Sequence, residues 1–267
     1  MRTIGCAVIG SLLILTGCMT TSGERSFNLI SSEEESQIGA KIAKEVEQKE
    51  KVLNDPALQA YVQNVGQRVS AMAERRDVTY QFKVIDAPDT VNAFALPGGY
   101  MYVYTGLMKI CDNEAELASV MAHEIAHVSS YHHGEALTRA YGVQLISSLL
   151  LGENSGQLAR IASDFIGQTG MMYFSRQNEY EADAKGMDYL FRAGYRPEAM
   201  AAFMQKLANQ EGQAGRGPMI KLFSTHPPSA DRLARLNAQL QQYPADLREK
   251  NTDYAERYTK EAISRLK

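Results

Sequence analysis

The chain of 267 residues is 45% hydrophobic and 22% charged, which is typical of a globular protein and excludes a disordered or collagen-like chain. This length suits one domain, with or without an accessory element, and is sufficient to bury a substantial core. The net charge of −3 and the pI near 6.0 give no electrostatic reason to expect a nucleic-acid partner.

The first eighteen residues have the pattern of an export signal. Arg2 supplies a positive charge, residues 4–15 are almost wholly apolar, and Leu15-Thr16-Gly17-Cys18 follows. The apolar run is too short to cross a bilayer comfortably, and it fits the core of a signal peptide. Because Leu-x-Gly-Cys resembles a bacterial lipobox, we predict a lipoprotein signal peptide over residues 1–17 and lipidation of Cys18. An ordinary signal peptide with an incidental cysteine is the alternative.

Several acyl chains on Cys18 would anchor the protein stably in a membrane. Met19, not Asp, follows this cysteine. In a diderm host, the absence of Asp at this position resembles a sorting signal. Such a signal directs an exported lipoprotein to the periplasmic face of the outer membrane. Residues 18–30, which are rich in Thr, Ser and Gly, are typical of a tether. We predict a folded domain over residues 31–242 and a C-terminal helical extension over residues 243–267.

Hydrophobic periodicity and end signals predict a mainly helical domain with a small sheet near its middle. The first helix opens at Ser32-Glu33-Glu34-Glu35, which has the spacing of a capping box. The predicted strands are Thr79–Ile85 and Tyr100–Thr105, the second entered through Pro97-Gly98-Gly99. The predicted helices are Ser32–Gln48, Leu53–Arg75, Asn113–Ser130, Glu135–Leu151, Gln157–Met172, Asn178–Arg192, Pro197–Gln210 and Ser229–Gln241.

The sequence His123-Glu124-Ile125-Ala126-His127 lies in the middle of the predicted helix over residues 113–130. Residues four apart are separated by about 6 Å along a helix and by about 40° around it. His123 and His127 can therefore bind one ion, and zinc accepts nitrogen ligands at about 2.0–2.1 Å. Glu124 lies beside them, where a general base that activates water is required. A surface helix rich in His and Glu is the alternative.

Zinc in a catalytic site takes three protein ligands, and two residues are candidates for the third. His133 has the metzincin spacing from His127, but Ser130 replaces the glycine of that motif, and Tyr131-His132-His133 fits the end of a helix better. Glu179 is the stronger candidate, because Asp183 shares its helix face and can accept the outer N–H of a ligating histidine. Glu181 points about 200° away from Glu179 and should not replace it. A solvated acidic helix start is the alternative for this segment.

Four segments in this order resemble the family-48 zinc metallopeptidases, gluzincins that include the CAAX prenyl protease, the inner-membrane heat-shock protease and periplasmic lipoprotein proteases. The resemblance covers roughly residues 31–241. It implies an α+β, mainly helical fold, in which a gluzincin (zincin-like) core carries a small sheet whose edge strand borders the active site. The four segments are Asn92–Gly99, Asn113–Val128, Ser175–Asp183 and Ser224–Pro228.

The resemblance implies one Zn²⁺ per chain, with His123, His127 and Glu179 as its ligands and Glu124 as base and proton shuttle. It also implies that an edge strand binds the substrate backbone as an added strand. The residues of that predicted substrate strand are Asn92, Ala93, Phe94, Gly98 and Gly99. For this segment a tight turn built on the two glycines is the alternative.

Two further residues take roles from the resemblance. His226 is implied to be either an oxyanion stabiliser or a fourth zinc ligand that keeps the enzyme latent. Arg232 is implied to brace this site or to bind a substrate carbonyl. Without the resemblance, His226 before Pro227-Pro228 would be a loop histidine.

The expected function is a lipid-anchored zinc metalloendopeptidase that hydrolyses peptide bonds with activated water. The family implies unfolded or misassembled envelope proteins as substrates, in quality control of the envelope or the outer membrane. A latent, chaperone-like envelope lipoprotein with a zinc site closed by His226 is the alternative. A purely structural tethered envelope protein is a third hypothesis.

Overall fold

A computed structural model describes residues 30–151, 155–167, 173–211 and 219–266. The predicted signal peptide, Cys18 and all of the predicted tether except Ile30 lie outside these residues, as does the end of the predicted helix over residues 157–172. None of the helices in the described ranges combines the length and apolar character needed to cross a bilayer.

Helices dominate the part of the chain that the structure describes, where five short strands form two small sheets. The helices are α1 (Ser32–Lys49), α2 (Pro56–Ser70), α3 (Thr105–Ile110), α4 (Glu114–Ser129), α5 (His132–Leu150), α6 (Ser155–Phe165), α7 (Arg176–Arg192), α8 (Glu198–Glu211), α9 (Leu222–Thr225), α10 (Ala230–Leu240), α11 (Ala245–Lys250) and α12 (Ala255–Glu261), with 3-10 turns at Pro97–Gly99 and Ile263–Arg265. The strands are β1 (Gln81–Ile85), β2 (Thr90–Val91), β3 (Ala93–Ala95), β4 (Tyr100–Tyr104) and β5 (Met219–Ile220). The predicted α+β, mainly helical class is confirmed.

The larger sheet has the order β1-β4-β3, so β3 is an edge strand. β1 pairs parallel with β4, whereas β3 pairs antiparallel with β4, with Phe94 opposite Tyr102. β2 and β5 form a separate parallel pair. The turn from β3 to β4 requires its two glycines, because Gly98 (φ 76°) and Gly99 (φ 94°) both lie in the left-handed region. The segment over residues 92–99 is therefore both an edge strand and a tight turn.

Two groups of buried apolar side chains lie on opposite faces of this sheet. Met101 and Val103 of β4 face the larger group, which includes side chains of α2, α4, α7 and α8. Tyr102 and Tyr104 face the smaller group, with side chains of α1, α5 and α6. Because strand side chains alternate, β4 is buried on both faces and occupies the middle of the domain. Tyr258, which lies in the predicted C-terminal extension, also belongs to the larger group, and the domain boundary at residue 242 stays a prediction.

Several element boundaries differ from the sequence prediction. The capping box of α1 is formed by Ser31 and Glu34, one residue earlier than predicted. Glu35 instead pairs with the buried Arg75 at 2.6 Å. α2 begins at Pro56 because Asp55 caps its first N–H groups.

The predicted helix end at Tyr131-His132-His133 is wrong. α4 ends at Ser129, Tyr131 takes a left-handed conformation (φ 60°), and both histidines begin α5 in buried positions. Thr105 begins the short helix α3, which the sequence analysis missed.

Gly39 of α1 packs directly against the turn between β3 and β4. A Cβ at this position would lie 1.8 Å from the carbonyl oxygen of Pro97, far inside van der Waals contact. We expect Gly39→Ala to lower the free energy of unfolding by about 1–3 kcal/mol, because this overpacking must displace the turn. Urea unfolding measures the change. The control is Gly156→Ala in α6, where the added Cβ meets no atom within 4 Å and stability should be unchanged or increased. Equal effects at both glycines would contradict the prediction.

Candidate metal centre

Two helices bring the central residues of the site together. α4 is capped by Asn113 and carries His123, Glu124 and His127. α7 is capped by Ser175 and carries Glu179 and Asp183.

The two helices approach closely at Gly186 of α7. A Cβ there would lie only 3.1 Å from the backbone of Ala122 and His123. Because the helices are this close, the side chains of Glu179 and Asp183 on α7 can reach the imidazoles of α4.

Four buried side chains converge on one point. One nitrogen or oxygen atom from each of His123, His127, Glu179 and His226 lies within 4.8 Å of the other three. Nε2 of His123 is 3.1 Å from Nε2 of His127 and 3.2 Å from Nδ1 of His226. Nδ1 of His226 is 2.9 Å from Oε1 of Glu179. Ligands at 2.0–2.1 Å from one tetrahedral zinc ion are about 3.3 Å apart, so these spacings suit such an ion.

The chemistry of these atoms also suits a cation. Nδ1 of His123 lies 3.0 Å from Oδ1 of Asp183, which makes Nδ1 the protonated nitrogen when the ring is neutral. The lone pair on Nε2 of His123 then faces the other three side chains. A group of facing lone pairs with a carboxylate, away from bulk water, is stabilised by a metal ion. The residues present therefore fit a metal such as zinc.

Glu124 lies between the edge strand and this group. Its Oε2 accepts a hydrogen bond from the N–H of Ala95 in β3 at 3.0 Å, and its Oε1 is 3.3 Å from Nε2 of His226. The side chain is 1% exposed, so that its direction is fixed by these neighbours. A carboxylate held in this way can take a proton from a water molecule at the ligand group.

Burial and hydrogen bonding set the charges of the site. Burial alone would raise the pKa of Glu179, but the electrostatic interaction with His226 and hydrogen bonds with three histidines hold it well below its ordinary value. Burial alone would also raise the pKa of Asp183, and hydrogen bonds with Arg232 and His123 lower it instead. Burial lowers the pKa of His123, yet hydrogen bonds with Asp183 and Glu179 outweigh this and raise it to about 9. Both carboxylates are therefore ionised at neutral pH.

Arg232 of α10 connects both carboxylates of α7. Its Nε and Nη2 donate to Asp183 at 2.7 Å each, and its Nη1 lies 2.7 Å from Oε2 of Glu179 and donates to the carbonyl of Pro227 at 3.1 Å. All three nitrogens of the guanidinium thus contact protein oxygens. This geometry favours the bracing role for Arg232 over direct contact with a substrate carbonyl.

Arg232 offers a stability prediction. We expect Arg232→Met to lower the free energy of unfolding of the metal-free protein by about 3–5 kcal/mol, because two buried carboxylates lose their cation. Urea unfolding in the presence of a chelator measures this change. The matched control is Arg235→Met in the same helix, where Arg235 is 60% exposed and pairs with Asp231, and the expected change is within about 0.5 kcal/mol. A similar loss in both variants would contradict the bracing role.

The predicted substrate-strand residues lie directly before β3, within it and in the turn that follows it. Ala93 and Phe94 belong to the strand, and the side-chain amide of Asn92 donates to the carbonyl of Ile166 at 3.3 Å. Gly98 and Gly99 lie at the turn, against the backbones of α1 and of the segment before β1. The strand therefore borders Glu124, whereas the two glycines shape the turn behind it.

His133 does not join the ligand group. It is buried, with its ring centre 6.2 Å from that of His127. Burial lowers its pKa to about 3, so the ring is neutral. Among the described residues, the group that could hold a metal takes its third residue from Glu179 of α7.

Two residues that contact the site, His132 and Phe174, were missed by sequence reasoning. Nδ1 of His132 lies 2.9 Å from Nδ1 of His127. The ring of Phe174 packs on His127 and stacks on His226, with ring centres 4.0 and 5.3 Å apart. The spacing of His132 was visible in the sequence but was assigned to a helix end, and Phe174 carries no sequence signal.

An apolar cleft opens beside Glu124 and His226. One wall is Val120 of α4, one turn before His123. The opposite wall comes from α8 and from the start of α9. Its side chains are Met200, Phe203, Met204, Leu207 and Leu222. The cleft is thus an apolar surface that ends at the charged groups of the site.

Comparison with known families decides how this arrangement is classified. The model of peptidase family M48 matches residues 56–240, more than half of the chain. The chain belongs to peptidase family M48. The resemblance stated from the four segments is confirmed, and so is the predicted class of the domain, a zinc-dependent metallopeptidase.

Relatives of this M48 domain occur in bacteria and mitochondria. The beta-barrel assembly-enhancing protease of Escherichia coli strain K12 is 35% identical over 221 residues, which cover 79% of this chain and 45% of that protein. The protein of the same name from Yersinia pestis is 34% identical over 214 residues, covering 77% and 43%. The mitochondrial metalloendopeptidase OMA1 of Schizosaccharomyces pombe is 34% identical over 183 residues, covering 67% and 52%. The chain spans about half the length of these curated relatives.

Proposed function

We propose that the protein is a zinc-dependent endopeptidase with one zinc ion per chain, bound by His123, His127 and Glu179. The observation that supports this most strongly is the group of four converging side chains beside a fixed Glu124. Zinc, when bound, acts as a Lewis acid toward the scissile carbonyl and makes an attacking water molecule more acidic. Glu124 takes a proton from that water and passes it to the departing amine.

The edge strand β3 supports binding of an extended substrate. Among the described residues, β3 forms its strand pairing with β4, which lies along one of its two edges. A substrate segment that pairs with the other side would be held by backbone hydrogen bonds and would need few specific side chains. The N–H of Ala95 already fixes Glu124 at the end of this strand, so that a paired segment would pass the base.

We propose unfolded or misassembled envelope proteins as the substrates. The apolar cleft beside Glu124 supports this, because it suits the apolar side chains that folded proteins bury and unfolded ones expose. Backbone pairing with β3 likewise favours extended segments. The name of the Escherichia coli relative, a beta-barrel assembly-enhancing protease, is in keeping with a role in quality control of outer-membrane proteins.

We further propose that the enzyme is an exported lipoprotein, anchored through Cys18 at the periplasmic face of the outer membrane of a diderm host. The support is the apolar run over residues 4–15 followed by Leu15-Thr16-Gly17-Cys18. Cys18→Ser would then release the protein from the membrane fraction. Retention of the Cys18→Ser protein in that fraction would contradict the lipid anchor.

The proteolysis proposal is tested with casein and the purified full-length protein. We expect casein cleavage that stops when a chelator removes the metal and returns when zinc is added back. Cleavage that persists without metal would contradict the mechanism. No cleavage by a protein that carries one zinc per chain would favour the second function below.

A second function has one observation in its favour. His226 lies among the ligand atoms, and a zinc site closed by four protein ligands is typical of structural zinc. The protein would then be a latent, chaperone-like envelope lipoprotein. His226→Ala separates the hypotheses: casein cleavage that rises from a low level indicates latency, whereas a fall of roughly 10²–10³-fold in kcat indicates that His226 stabilises the oxyanion.

A further inference from the structure

Each of the two histidines of α4 turns its second ring nitrogen toward another side chain. For His123 the partner is Asp183, which matches the usual pairing of a metal-binding imidazole with a carboxylate. For His127 the partner is a third histidine, His132, with the two Nδ1 atoms 2.9 Å apart. His127 and His132 are both buried, so this hydrogen bond is removed from water.

The direction of this hydrogen bond decides whether His127 can bind a metal. Nε2 of His127 faces the ligand group, 3.1 Å from Nε2 of His123, and it needs a free lone pair there. Its proton must therefore be on Nδ1 and be donated to Nδ1 of His132. If His132 donated instead, the proton of His127 would be on Nε2 and would occupy the position of the metal.

Glu181 favours the productive direction. Its Oε2 lies 3.5 Å from Nε2 of His132, where it attracts the proton of His132 to that nitrogen. The proton on Nε2 leaves Nδ1 of His132 as the acceptor that His127 requires. The carboxylate is held in turn by Lys185 at 2.8 Å, and Lys185 donates to Ser130 at 2.9 Å. The direction of Glu181, away from Glu179, is what brings it to His132.

We propose that His132 and Glu181 are positioning residues that hold His127 in its metal-binding tautomer. This inference rests on the proposed metal site. At His123 the second ring nitrogen meets a single carboxylate, that of Asp183. At His127 this place is taken by His132, which is in turn oriented by the carboxylate of Glu181. This series of side chains runs from the partly exposed Glu181 to the fully buried His127.

The test measures zinc affinity of the full-length protein by competition with a chromophoric chelator. We expect His132→Phe, which removes the acceptor at similar size, to raise the zinc dissociation constant about 10–100-fold. His132→Asn is the rescue variant, because its side-chain oxygen can take the place of Nδ1 and accept from His127. Its dissociation constant should lie clearly closer to the wild-type value. The control is His133→Phe, a neighbouring buried histidine outside the ligand group, with an unchanged constant.

If His132→Phe does not fold, Glu181→Ala still tests the inference. Glu181 is 41% exposed, so its replacement should leave the fold intact. We expect weaker zinc binding in this variant, near the lower end of the same range. Wild-type affinity in Glu181→Ala and in any folded His132→Phe protein would overturn the inference while leaving the proposed function intact. Failure of the wild-type protein to bind zinc would instead overturn the metal site, and the inference with it.

Discussion

Glu124→Gln is expected to lower kcat/KM for casein by roughly 10²–10⁴-fold while the zinc content stays the same. Glutamine has nearly the shape of glutamate and keeps an oxygen that can accept the hydrogen bond from the N–H of Ala95. It cannot take a proton from water near neutral pH. The loss therefore isolates the general-base step from metal binding and from folding.

Metal analysis accompanies the activity assay of Glu124→Gln. The matched control is Glu256→Gln, the same substitution at an exposed residue of α12, which should leave kcat/KM and zinc content unchanged. Full proteolysis by Glu124→Gln with zinc bound would exclude Glu124 as the base. Loss of zinc together with activity would show that this side chain supports the metal as well.

Glu179→Ala is expected to have the second large effect, on metal binding itself. Residues that only orient metal ligands contribute about 10–100-fold to affinity, so the loss of a ligand should exceed 100-fold. Casein cleavage should then fall below detection at micromolar zinc. Arg232 keeps Asp183 as its partner in this variant, which limits the damage to the fold.

The matched control for Glu179→Ala is Asp188→Ala in the same helix. Asp188 is 42% exposed and pairs with Arg192 one turn away, so zinc affinity and activity should not change. Zinc competition and casein cleavage are measured for both proteins. A Glu179→Ala protein with wild-type affinity would show that the third ligand comes from elsewhere.

The long helices could be predicted from the sequence because their apolar periodicity and end signals agree. The helix of His123 was placed within one residue at each end, since Asn113 is a strong N-cap. The short elements could not be placed in this way. α3 has six residues, and β2 and β5 have two each, so that none spans enough residues for a period to appear.

The spacing of side chains on single helices predicted which residues share a helix face at the site, whereas His226 and Arg232 were implied by the family resemblance. Four-residue spacing was sufficient for His123 with His127 and for Glu179 with Asp183. Contacts that depend on the path between helices were not predictable. The left-handed Tyr131 turns the chain so that His132 comes back to His127, and nothing in the residue type of a tyrosine signals that conformation.

The lining of the cleft beside the site was likewise not predictable from the sequence. Met200, Phe203 and Met204 have the spacing of any helix that faces a core. Only the packing of α8 on α4 brings them beside Glu124. The lining of the cleft therefore depends on tertiary contacts, whereas the pairs His123 with His127 and Glu179 with Asp183 depend on spacing within single helices.

X-ray diffraction from crystals of the zinc-loaded protein, recorded on both sides of the zinc absorption edge, tests the proposed metal centre most directly. We expect one anomalous peak per chain, at about 2.0–2.2 Å from Nε2 of His123, Nε2 of His127 and a carboxylate oxygen of Glu179. A peak that lies away from these three residues, or zinc-free crystals of a protein that still cleaves casein, would contradict it.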